Sequence, residues 1–145
     1  MKMKARLFGL FITMYAAISI HTAHADEVEL IEAMAALQYF THKTSLAVDS
    51  KNAPLAKFYA HELEEILEEL ETVSSYHGQP IAKLAEALLH PSFHQLETAI
   101  KQQQWTQSSE ALDAMIDSCN QCHQATQHGF IQIERLSHNP YFQKF

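Results

Sequence analysis

Glycine is almost missing from this chain, at three residues in 145, and proline is scarce at four. With abundant Ala, Leu, Glu and Gln, that composition favours helix. There are two cysteines, Cys119 and Cys122. A structural zinc site wants four ligands, and the second C-x-x-C that would complete one is absent. No βαβ setting surrounds the pair, so a thioredoxin-like redox protein lacks its scaffold. After residue 25 no apolar run approaches the roughly 20 residues of a membrane span. Basic residues are also few, ten Lys and Arg against 17 Asp and Glu, for a net charge of −7. That balance makes nucleic acid an unexpected partner. Ser108 and Ser109 stand in no recognisable nucleophile–base–orienter setting, so no catalytic residue is assigned and the chain is read as a non-enzyme.

What is present begins with the N-terminus. Lys2, Lys4 and Arg6 precede an apolar run from Leu7 to Ile20, and Ala23-His24-Ala25 follows as a small-x-small pattern. This is the three-part build of a secretory signal peptide, with cleavage expected after Ala25 and export to the periplasm. The run is too short for a confident span. All 17 acids lie beyond Ala25, so the mature chain is more acidic than the precursor. Its length suits one domain. The expected organisation is signal peptide 1–25, helical domain 26–129 and tail 130–145.

The mature chain reads as all-α. Leu30, Met34, Leu37, Thr41, Thr44 and Val48 recur at helical spacing along a first helix, Val28 to Asp49. Asn52 is placed to cap a second helix with Pro54 in its first turn, running from Ala53 to Ser75 with Leu55, Tyr59, Leu63, Ile66, Leu70 and Val73 inward. The glutamates Glu62, Glu64, Glu65, Glu68, Glu69 and Glu71 form its outer, solvated face. His77-Gly78-Gln79-Pro80 is a turn. A third helix starts near Ile81, with Leu84, Leu88, Phe93, Leu96 and Ile100 inward. Pro91 is expected to kink or split it, with Ser92 as a new cap. Thr106 would cap a fourth, from Gln107 to Gln127, stopped by Gly129. Short links between such helices predict an antiparallel up-down-up-down bundle, and the tail should be irregular.

Near the end of the fourth helix stands Cys119-Asn120-Gln121-Cys122-His123. C-x-x-C-H is the pattern of covalent c-type haem attachment. Each thiol can add to one vinyl group, and the adjacent histidine can ligate the iron. Thiols three apart share a helical face. The rival readings are a disulfide between them, which an oxidising compartment permits, and two buried structural cysteines, which would need no histidine beside them.

Signal peptide, four amphipathic helices and C-x-x-C-H on the last one together resemble the class II c-type cytochromes, the family of cytochrome c′ and its low-spin relatives. The resemblance implies one covalent haem c on Cys119 and Cys122, with His123 as proximal iron ligand. It implies one-electron transfer with a redox partner protein, and a homodimer is common in the family. Low-spin members add a methionine from the first helix, for which Met34 is the matching candidate. Leu30, Leu37, Leu70 and Leu84 are candidates to line the haem. The tail is longer than the family's usual one, and the family's common cation beside the motif is missing.

Simple helix geometry supports Met34 over the histidines. In an antiparallel bundle His123 lies roughly 7 Å from the end of its helix, and Met34 roughly 9 Å from the start of the first, at the same end. His42 lies too high and His61 near the opposite end, while His77 is the rival. Without a sixth ligand, the iron would be five-coordinate and suited to a small gas such as nitric oxide. A third reading is a haem-free metal-binding or thiol-redox bundle. For it, Glu86, His90, His94 and Glu97 fall on one helical face.

Overall fold

The computed structural model describes residues 30–145. The expected signal peptide, and the first residues of the expected helical domain, lie outside them. The described residues are all-α, with four helical stretches packed against one another around one core. No helix among them is long and apolar enough to cross a membrane.

Helix α1 is described over residues 30–49, α2 spans Ala53–Thr72 and α5 spans Trp105–Ala125. Between α2 and α5 runs one continuous stretch in three parts: α3 Ile81–Leu84, a π-helical turn Ala85–Leu89, and α4 His90–Lys101. The links are short, the kind that join neighbouring helices of a bundle.

Pro91 explains the π-helical turn. It lacks an N–H, and its ring would strike the carbonyl four residues back in a regular helix. The chain widens instead, and the His90 N–H reaches the Ala85 carbonyl, five residues back. The extra residue turns the upstream face. Ile81, Ala85 and Leu89 are buried, whereas the expected Leu84 and Leu88 are only half-buried. Downstream the expected Phe93, Leu96 and Ile100 are all core. Ser92 is not a cap, since its hydroxyl donates back to the Leu89 carbonyl at 2.9 Å.

With so little glycine, other residues must end the helices. The Lys51 N–H bonds the Val48 carbonyl and the Asn52 N–H bonds the Ala47 carbonyl. This paired closure places Lys51 at φ +54°, in the left-handed region that glycine usually occupies. Gln103 at φ +56° closes α4 through Ile100 and Ala99 in the same way. Gln127 at φ +65° closes α5 through Gln124 and His123. The expected stop at Gly129 therefore falls two residues early. Nor is Thr106 the α5 cap: the helix begins at Trp105, with Gln104 as cap residue and no side-chain bond. Asn52 does cap α2, accepting the Leu55 N–H at 3.3 Å. The turn before α3 is a tight reversal in which Tyr76 and Gln79 exchange both backbone bonds, with His77 and Gly78 at positive φ.

The tail 130–145 is irregular and lies against the bundle. Arg135 donates to Ser45 and Asp49 of α1 and to Ser109 and Asp113 of α5. Further on, Gln143 accepts from Lys43 Nζ at 2.7 Å and bonds the Tyr59 hydroxyl. The Lys43 ammonium sits 4.8, 5.3 and 4.9 Å from the ring centres of Tyr39, Tyr59 and Tyr141. These are cation–π distances, and partial burial strengthens such contacts.

Candidate functional site

The C-x-x-C-H residues lie in the last two turns of α5, where helical spacing turns Cys119 and Cys122 inward together. Both thiols are buried and free, without a disulfide. Burial pushes Cys119 up to about 12, with Cys122 as a like charge adding to the effect, and burial raises Cys122 as well. Reactive dithiols of redox proteins depend on lowered pKa values, often at a helix N-terminus. These thiols sit at a helix C-terminus, where the dipole opposes a thiolate.

Two cavities open beside the motif, of about 170 and 270 Å³. Both are lined by Met34, Cys122, His123 and Ile131. The first extends along α1 to Leu37, Gln38 and Thr41, and reaches Cys119 and Ile133. The second reaches Leu30, Tyr76, Thr126 and His128. Their walls are mostly apolar, as expected for a site that takes a largely apolar group fixed by a few polar contacts.

His123 is held by its own hydrogen bond. Its Nδ1 lies 2.9 Å from the Ile131 carbonyl oxygen. A carbonyl only accepts, so Nδ1 carries the proton and the lone pair is on Nε2. A backbone carbonyl behind the ring is the usual outer support of a metal-ligating histidine. Opposite, Thr41 is buried and its hydroxyl has no hydrogen-bond partner among the described residues. Buried hydroxyls are nearly always paired.

These features fit a covalently held haem. Two unbonded thiols share one helical face, an imidazole with a free Nε2 follows them, an apolar space lies alongside, and an unpaired hydroxyl lines it. Of the residues expected to line a haem, Leu30 and Leu37 are at the cavities. Leu70 is fully buried in the core and Leu84 half-buried on α3; neither lines either cavity. Met34, the candidate sixth ligand, lines both cavities. His42 and His77 line neither. Burial lowers the pKa of His42, with the Glu134 backbone opposing that shift.

Sequence reasoning left His128 unassigned. It lines the second cavity, between Tyr76 and Phe130, with ring centres 5.9 and 5.8 Å away. Its Nδ1 meets the Thr126 carbonyl at 2.8 Å, which leaves Nε2 unprotonated, as in His123. The signal available in the sequence was its position five residues after His123, one turn past the helix end.

The histidine–glutamate row of the metal hypothesis is scattered. His90 Nε2 lies 3.2 Å from Glu71 of α2, out of line for a hydrogen bond. His94 is 3.9 Å from Glu97, which also pairs with Lys101. The π-helical turn breaks the regular spacing between Glu86 and His90. Among the described residues no group of three or more His, Cys, Asp or Glu could hold a metal ion. An iron already carried in a porphyrin needs no such group of side chains.

No family model, no curated protein and no solved structure matches this chain.

Proposed function

We infer that this protein is a periplasmic mono-haem c-type cytochrome of helical-bundle form that transfers single electrons. The observation that carries the reading is the juxtaposition at the end of α5: two buried free thiols, then an imidazole whose Nδ1 is tied to a carbonyl, all beside an apolar cavity. Cys119 and Cys122 would hold one haem c through thioethers, and His123 Nε2 would ligate its iron. When bound, the group supplies the ferrous–ferric couple; the chain supplies ligation, burial and exclusion of water. Met34, the thioether that lines both cavities among the described residues, is the candidate second protein ligand and would supply a sulfur donor to the iron. An acidic surface suits a redox partner with a basic docking face.

The five-coordinate, gas-binding alternative draws on Thr41. A buried unpaired hydroxyl in the cavity wall is a ready hydrogen-bond donor to a small polar ligand. The haem-free thiol reading is less favoured because both thiols are buried and at the wrong helix end for activation.

The test is expression with a c-type maturation system and an alkaline pyridine spectrum. A ferrous haem-c band that survives acid–acetone extraction supports attachment, and its loss in Cys119→Ala/Cys122→Ala assigns it. No band, with the two cysteines recovered as a disulfide, overturns it. In the native spectrum, conversion from six- to five-coordinate on Met34→Ala identifies the electron carrier. An unchanged six-coordinate spectrum would instead direct attention to His128.

A further inference from the structure

We propose that the C-terminal strap, residues 131–135, is a positioning element for His123, with Asn120 and Arg135 as the residues that hold it there. The proposal rests on the haem reading and extends it from which residues ligate to what aims the ligand.

The geometry is specific. The Ile131 carbonyl accepts the His123 Nδ1 proton at 2.9 Å. Two residues on, the Asn120 side chain grips the strap in both directions. Its Nδ2 donates to the Ile133 carbonyl at 3.0 Å and its Oδ1 accepts the Ile133 N–H at 2.8 Å. An amide side chain thus replaces the backbone partner that an extended strand would otherwise need. Asn120 is a spacer position of C-x-x-C-H, so the haem motif itself carries the clamp.

Arg135 fixes the far end. Its guanidinium reaches Asp49 at 2.6 Å and Ser45 at 3.3 Å on α1, and Ser109 at 2.8 Å and Asp113 at 3.0 Å on α5. The planar fork of arginine suits four acceptors on two helices, which an ammonium would not match. None of these bonds involves His123. The carbonyl is therefore held independently of the ring that uses it, which is what a positioning element requires.

The chemical consequence follows from the bond's direction. Donation from Nδ1–H to a carbonyl fixes the tautomer, orients the ring and makes Nε2 a stronger electron donor. A more basic imidazole at His123 would favour ferric over ferrous iron in a bound haem. Releasing the strap should raise the midpoint potential while leaving the two thioethers intact.

Two arms test this. In the full chain expressed without maturation, the nitrogen chemical shifts of His123 report the tautomer. The parent should show Nδ1–H, and Asn120→Ala should lose that preference while the Ile133 amide exchanges at least tenfold faster. In the haem-loaded chain, Asn120→Ala should keep its covalent haem band and show a raised midpoint potential. Arg135→Gln is the second variant, expected to act in the same direction more weakly. Asn139→Ala, which breaks a tail contact to the Gln143 carbonyl remote from His123, should change neither readout.

An Nε2–H tautomer in the parent overturns the proposal, even if haem attaches. So does a midpoint potential that stays at the parent value while Ile133 exchange shows the strap released. A parent with Nδ1–H that takes up no haem overturns the haem reading, and the ligand role of the strap with it.

Discussion

Two halves of the bundle are packed differently. Where α2 meets α4, Leu63, Leu67, Leu70, Leu96 and Ile100 are at most 1% exposed, and the gaps that remain, of about 660 and 290 Å³, are edged by charged and imidazole side chains such as Glu68, Glu71, His94 and Lys101. Where α1 meets the end of α5, Met34 is only half-buried, the hydroxyl of Thr41 is unpaired, and two cavities remain. Helix propensity and amphipathic periodicity are alike in both halves. The difference lies in what lines the gaps: carboxylates, imidazoles and lysines along α2 and α4, mostly apolar side chains with two thiols and His123 between α1 and α5. Protein interiors close their voids wherever shape permits, so an apolar space left open beside two thiols and an imidazole marks the candidate site.

Truncation should break the comparison most sharply. Leu63→Ala removes a side chain from the α2–α4 half and should cost about 3 kcal/mol or more, since the neighbours have nowhere to move. Leu37→Ala borders an existing cavity, so its cost in the haem-free chain should be about 2 kcal/mol or less. Denaturant unfolding of the two variants checks the order. Equal losses would mean the α1–α5 half is as tightly packed as the α2–α4 one.

pH should act next, on two groups of the α1–α5 half, Cys119 and His42. The folded haem-free chain keeps Cys119 neutral up to about 12. The unfolded chain ionises it earlier, so its contribution to stability is present below the ordinary thiol range and is lost as pH rises towards about 12. His42 behaves oppositely. Its folded pKa is lowered from 6.5, so its contribution is present above that value and is lost as pH falls below it. Unfolding midpoints should therefore drop at both extremes. Covalent haem should abolish the alkaline loss attributable to Cys119 and leave the acid one.

The smallest effect belongs to a helix end. Gln103 holds a left-handed φ of +56° that glycine adopts without strain. Gln103→Gly should raise stability by up to about 1 kcal/mol, within the range for relieving such strain. Thermal unfolding would show it as an upward shift of a few degrees.

Much of the fold was legible because it is written at short range. The seam of α1 and the Asn52 cap needed only neighbours in sequence. Where the reading failed, a longer-range compromise intervened. Leu84 and Leu88 gave way to Ala85 and Leu89 because Pro91 forced an extra residue into the turn before it. Gly129 was not the stop because Gln127 took the left-handed position two residues earlier. At the site, Cys119, Cys122 and His123 were legible as a motif, and Met34 as a seam residue at the same end. Thr41 was read as core, without the missing partner that marks it.

The sequence alone determined an all-α fold over the described residues, roughly where its helices lie, and the C-x-x-C-H spacing of Cys119, Cys122 and His123, because periodicity, capping and motif spacing all act within a few residues. Only the tertiary structure decided what stands behind and beside those residues. Asn120 meets Ile133 across 13 positions, and Arg135 meets Ser45 across 90. Such partners are selected by how the tail packs into the groove between α1 and α5, and no local pattern encodes that packing.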